Sequence, residues 1–257
     1  MTYLENYEVL ASTDLHELRD TLMRLTYRDE IDVVGKGHEI DASLRAVDLG
    51  GQSLMHITYG NVPTHVHAYE NDEDMLMLFI LTGGQADIRH HGKDFGISPT
   101  TGLLRDNRVP LTACQDAFES FVIPLSIDAL KQHARSILGE GAGLKDIRFD
   151  TELDLTTPDG QHLRNTVIYI AEALDGPLRG AGNPIILAGL KDLLLTSVLS
   201  LLPNSATDAL QGRPKAGAVP YYVKRARDYI HAHADTAITL ETLASACRPS
   251  PMSNTCG

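Results

Sequence analysis

Two arginines four residues apart, Arg24 and Arg28 in RLTYR, are followed one strand's length later by Asp41 and Ser43 in DASLRA. An arginine can grip the O6 and N7 edge of a guanine, or a phosphate, through two parallel hydrogen bonds. A carboxylate such as that of Asp41 can accept from the N1 and N2 donors of the same base. The plain alternative is a pair of arginines closing a helix near its negative end. With 15 arginines in the chain, about one pair at this spacing arises by chance, so the spacing alone decides nothing. Arg45 is added to this set, and Arg89, Lys93, Arg105 and Arg108 are further candidates for an anionic ligand, because all fall among short strands where single residues can converge.

A second chemistry is possible in PTHVHAYENDED. His65 and His67 alternate, so on a strand they point the same way and could chelate a metal. The acidic residues Glu70 and Glu73 stand two and five positions beyond His67, and PTTGLLRDN downstream has no histidine, so the ligand set is short. His65 and His67 are then expected as barrel residues lining a pocket, and His90 and His91 in RHHGKD as solvated turn residues. No glycine-rich phosphate loop, nucleophile elbow or triad is present, so no catalytic residue, metal or cofactor is assigned.

The elements that must position these groups are readable from periodicity. STDLHELRDTLMRLTYR places Leu15, Leu18, Leu22 and Leu25 on one helical face, with Asp14 and Glu17 at capping-box spacing. From about residue 30 to 125 the helical period gives way to short runs such as SLRAVDLG, SLMHITYG, MLMLFILT and SFVIPL between Gly, Pro, Asn and Asp clusters. That pattern predicts a small antiparallel barrel or sandwich. Helices follow: SIDALKQHARSIL with Ser126 as cap, residues 161–174, and NPIILAGLKDLLLTSVLSLLP with Asn183 as cap and Pro203 as terminator. In the last, Leu187, Leu190, Leu194 and Leu201 form one stripe that Ile186, Leu193 and Leu202 widen, so this helix is packed on two sides or shared with a second subunit.

Charge divides the chain. Residues 1–212 carry 16 basic against 31 acidic side chains, while the remaining 45 residues carry 6 against 3, which suits an end that approaches phosphates. Cys114, Cys247 and Cys256 form no C-x-x-C pair and are expected to be buried and inert. The start MTYLENYEVL has neither a basic nor an apolar leader segment, and no run has about 18 uncharged apolar residues, so a cytoplasmic protein without a membrane partner is expected.

PYYVKRARDYIHAHADTAITLETLASAC, residues 220–247, resembles the opening of the DNA-binding domain of the AraC/XylS family of transcription regulators. Upstream, LTGGQADI, PTTGLLRDNRVP and FVIPLSIDAL resemble the branch with an AraC-binding-like N-terminal domain. The resemblance implies an α+β fold: a cupin-like antiparallel β barrel followed by a dimerising helical pair, plus a partial all-α helix-turn-helix segment. It implies an effector-binding and dimerisation domain at 1–202, a linker at 203–219 and a DNA-binding segment at 220–257. Its partners would be a second copy, promoter DNA and a small effector, and its activity binding, not catalysis. RPSPMSNTCG departs from the family where a recognition helix belongs, and is expected to mark a truncated DNA-binding domain.

Arg24 and Arg28 with Asp41 and Ser43 also resemble the RxxxR and D/NxSxxG signature of PilZ domains, which implies cyclic di-GMP as effector. Ala46 stands where that signature has glycine. A sugar or an aromatic acid is the alternative effector, and a metal-dependent cupin enzyme using His65 and His67 is the alternative class.

Overall fold

In the computed structural model the described residues are 2–25, 29–35, 39–138, 147–180 and 182–205, with Tyr229 and Thr242. The chain divides into two compact units, 1–211 and 212–257. Within the second only Tyr229 and Thr242 are described, both helical. The remainder of the lead helix expected from residue 220, and the RPSPMSNTCG ending, lie outside the described residues.

The elements of the first unit are β1 (Glu8–Ser12), α1 (Leu15–Leu25), β2 (Asp29–Val33), β3 (Ala42–Asp48), β4 (Ser53–Thr58), β5 (Thr64–Ala68), β6 (Met75–His90), β7 (Lys93–Ile97), β8 (Thr101–Asp106), β9 (Leu111–Ser126), α2 (Ile127–Leu138), β10 (Glu152–Asp154), α3 (Pro158–Asp175) and α4 (Pro184–Leu201). β6 and β9 are the spine. Met75 to Leu81 of β6 pair with the second half of β9, in a sheet ordered β1-β3-β4-β9-β6-β8-β10. Ala86 to His90 pair with the first half of β9, and there β5 and β2 extend β9 while β7 extends β6.

All ten strands belong to one sheet, and its two parts, the larger holding β1, β3, β4, β8 and β10, meet where the β6–β9 register slips, between Leu81 and Gln85. Gly84 takes φ +68° there, and a Cβ on it would stand 2.1 Å from the Ala117 carbonyl oxygen. Only glycine fits such a bulge. The inner faces then meet: Met55 and Ile57 of β4, Val66 and Ala68 of β5, Ile88, Ala113 and Val122 share one core, closed by Leu18 and Leu22 of α1. The result is a cupin-like α+β domain.

The outer face of the larger sheet builds a second core. Leu54, Leu78, Phe121 and Ile123 pack against Leu163, Val167, Ile170 and Leu174 of α3 and Leu190, Leu194 and Val198 of α4. Each such side chain contributes roughly 1.5–3 kcal/mol by leaving water, so four on α3 suffice to seat that helix.

Helix caps follow the sequence with two differences. α3 begins at Pro158, not near 161, because the Thr157 hydroxyl accepts from the Gly160 amide at 3.1 Å and proline fills the first turn. At α1 the Asp14 carboxylate accepts from the His16 amide, and Glu17 accepts from the Ser12 hydroxyl instead of closing a box on Asp14. Ser126 and Asn183 cap α2 and α4 as expected. Among the described residues α4 alone is long and apolar enough to cross a membrane, by length and composition, yet it packs on α2 and α3.

Candidate functional site

β3 alternates between the two cores. Ala42 and Leu44 fill the barrel interior, so Ser43, Arg45 and Val47 point to the helix-covered side. Asp41 precedes them on the same parity, exposed, with its side chain against Gly60: a Cβ there would lie 3.1 Å from that of Asp41. Across the β3–β4 pair, Ser43 faces Thr58 and Arg45 faces His56.

His56 organises this region. It is 1% exposed, and its Nε2 lies 3.2 Å from the Thr82 hydroxyl and 3.3 Å from Glu119 Oε1. Its ring meets Tyr3 and Phe121 edge-on at centroid distances of 5.3 and 5.0 Å. Burial, reinforced by the Arg45 charge, lowers its pKa to about 4. With the imidazole neutral, the contact with Glu119 is a close polar approach, not an ion pair.

α3 closes the same region from above. Burial raises the Tyr3 pKa, with Glu172 and Glu119 adding to the rise and Arg164 opposing it, so Tyr3 lies within the fields of groups on α3 and β9 alike. The N-terminal segment is tied down by the Leu4 amide, which donates to the Asp175 carboxylate at the end of α3 at 2.6 Å. Ser43 Oγ, Arg45 Nε and His56 Nδ1 are buried without a hydrogen-bond partner, as is Arg164 Nε on α3. A buried polar group left unpaired costs about 1–3 kcal/mol, more when charged. The first three of these atoms lie on the paired strands β3 and β4.

Other expected residues lie elsewhere. Arg24 is exposed on α1, where Nε donates to the Asp20 carbonyl at 3.1 Å and Nη2 to the Thr21 hydroxyl at 3.2 Å. Arg28 lies outside the described residues. Arg105 is buried and lines a barrel cavity of about 30 Å³ with Tyr59, Gln115 and Phe118, its Nη2 donating to the Tyr69 carbonyl at 3.0 Å. Arg89 pairs with Asp94 on the surface, Lys93 is exposed, and Arg108 bridges Asp74 and Asp106.

Three expectations are corrected. His65 and His67 do not line the barrel: Val66 and Ala68 take the inward positions of β5, leaving His65 exposed and His67 stacked on Tyr69. His90 is not solvated. It is buried, with Nδ1 3.2 Å from the Pro110 carbonyl, and only His91 occupies the turn, at φ 49°. Cys114 is exposed, because it shares an outward row with His65 and Asp87. Among the described residues no three His, Cys, Asp or Glu side chains are grouped to hold a metal ion.

The sequence reading missed His56, Glu119, Tyr3 and Arg164. His56 had a signal: in SLMHITYG it takes the parity of Leu54, an outward residue that the helix-covered core buries. Arg164, beside Leu163 on α3, had none beyond being a cation at the margin of an apolar stripe.

Comparison with known proteins fits this architecture. Residues 19–200 match the model of the AraC-binding-like domain. The probable thc operon regulatory protein of Rhodococcus erythropolis is 26% identical over 239 residues, spanning 91% of this chain and 70% of that one. The crystal structure of the AraC-like transcriptional activator CuxR superposes with a TM-score of 0.52 at 16% identity, over 91% of this chain and 80% of that one. The Cnp3 cupin domain of Schizosaccharomyces pombe covers 41% of this chain and 82% of its own, at 9% identity and a TM-score of 0.29. The chain belongs to the AraC-binding-like domain family, the sensor part of AraC-type transcription regulators.

Proposed function

We propose that this chain senses a small effector, cyclic di-GMP, on the helix-covered face of the larger sheet, and relays its binding to promoter DNA as a homodimer. One observation carries the reading: Ser43 Oγ and Arg45 Nε, from the expected effector set, are buried without partners on the side of β3 that Asp41 also faces. The barrel interior is the poorer host. Ligand pockets occupy roughly 300–1,000 Å³, whereas the cavity there measures about 30 Å³, the space of a water molecule or two.

Dimerisation is assigned to the helical layer. Ile185 of α4 is 81% exposed and Tyr169 of α3 58% exposed, with Leu193 two turns along α4 from Ile185 also exposed. Large apolar side chains left in water on two adjacent helices suit a self-complementary contact. Effector bound beside α3 would then bias how two copies are arranged, and any effector that tightens DNA binding must itself bind tighter to the DNA complex.

Titration calorimetry of the full chain tests the reading, with arabinose and salicylate as comparators. Heat with cyclic di-GMP that is lost in Arg45→Ala and kept in Arg24→Ala supports it. Absence of heat at tens of micromolar protein refutes the nucleotide. A sugar or aromatic acid in the barrel is the second reading, favoured by Arg105 and Gln115 on the cavity wall; heat with a comparator that depends on Arg105 would favour it.

A further inference from the structure

The linker expected at 203–219 opens with residues that the sheet holds. The Ser205 amide donates to the Arg148 carbonyl at 2.8 Å, the Arg148 amide donates to the Ser205 hydroxyl at 3.0 Å, and Asn204 lies antiparallel to Phe149. The Asp150 amide reaches the Pro203 carbonyl at 3.4 Å. From Thr151 onward the same run of chain serves the other side: the Thr151 carbonyl accepts from the Leu104 amide at 2.7 Å, and the Leu155 amide donates to the Thr100 carbonyl at 3.0 Å. Alternate residues of a strand pair to opposite sides. Positions 148 and 150 therefore face residues 203–205, while 151 and 155 face β8. Residues 203–205 form the outermost strand of the larger part of the sheet, beyond β10, where the order β1-β3-β4-β9-β6-β8-β10 ends.

This short strand follows α4 directly. α4 ends at Leu201, Leu202 is buried, and the Asn204 side-chain amide donates to the Leu199 and Leu202 carbonyls at 2.9 and 2.8 Å. With one residue between Leu201 and Pro203, the pairing forms only while the end of α4 lies within about 7 Å of the sheet edge. Pro203, Ser205, Arg148 and Asp150 are all exposed. Backbone bonds at an exposed edge, with few buried side chains around them, are the first to open. We infer that residues 203–205 are a strap that opens separately from the rest of the domain and closes only while α4 keeps its seat on the sheet. Its release returns about 10 Å of extended chain to the path between α4 and the second unit, residues 212–257. Only the strap's response to an effector rests on the reading above.

Hydrogen exchange at single amides of the full chain, followed by NMR, tests the strap, with folding of each variant checked by circular dichroism. In the parent, the Asp150 and Ser205 amides should exchange at least tenfold faster than those of Leu104 and Leu155, which bond the β8 side of the same run of chain. Equal rates on the two sides overturn the inference. Ser205→Pro, which removes a donor to Arg148, should speed Asp150 and leave Leu104 and Leu155 as they were; if it does not fold, Ser205→Ala decides by the rate of the Arg148 amide, which loses its acceptor. Val198→Ala, which thins the buried face of α4, should speed Ser205 and Asp150 more than Leu104 and Leu155, and equal acceleration overturns the dependence on α4. Saturating cyclic di-GMP should change the Ser205 and Asp150 rates alone. Calorimetric heat with no change at these amides overturns the link from effector to strap. No heat removes the nucleotide and leaves the strap to be decided by Val198→Ala.

Discussion

Arg45 and His56 face each other across the β3–β4 pair on the helix-covered side of the sheet, and each keeps a buried nitrogen without a hydrogen-bond partner. This pairing couples the candidate site to stability, because burial, reinforced by the Arg45 cation next door, holds the imidazole neutral.

A pH dependence follows with a definite sign. The folded pKa of His56 is about 4, below its ordinary 6.5, so the unfolded chain binds the extra proton first and stability falls as pH drops from 6.5 towards 4. Relative to pH 7, the loss amounts to about 2 kcal/mol at pH 5 and about 3 kcal/mol at pH 4. His90, whose pKa burial also lowers, adds in the same direction. Urea unfolding of the parent and of His56→Gln at pH 7 and 5 isolates the His56 share: the variant should lose about 2 kcal/mol less between the two pH values.

Gly84→Ala should be strongly destabilising. Its φ of +68° suits glycine, and the new methyl would stand 2.1 Å from a backbone oxygen. A cost of about 3 kcal/mol or more is expected, read as a drop in Tm, with Gly92→Ala, also at positive φ but facing open space, costing about 1 kcal/mol.

Thr157→Ala removes the hydroxyl that caps α3. Stability should fall by about 1 kcal/mol in urea unfolding, while Thr157→Ser stays near the parent.

Ile185→Asp with Leu193→Asp should convert a dimer to a monomer without unfolding it, since both side chains are exposed in the single chain. Analytical ultracentrifugation reads the mass directly. A dimer that persists in the double variant places the contact elsewhere.

Much of the fold was legible because its signals are local. Asn183-Pro184 starts α4 and Ser126 starts α2, and the alternation in SLRAVDLG and SLMHITYG marks β3 and β4. What sequence could not supply was which face of the larger sheet is wrapped and which is covered by helices. That choice depends on the bulge at Gly84 and on α3, which returns to the sheet only from Pro158 onward, both long-range facts. For the same reason Ser43 and Arg45 were found as a motif, while Tyr3, brought against His56 only by folding, was not. Arg24 was grouped with them by spacing, although its guanidinium is held by its own helix.

That the effector sits between β3–β4 and α3 is tested most directly by hydrogen exchange of the full chain with and without cyclic di-GMP. The expected result is slowed exchange in α3, residues 158–175, together with the segments around Asp41 and Gly60. Slowing confined to the strands around the barrel cavity, or no change at saturating nucleotide, would contradict it.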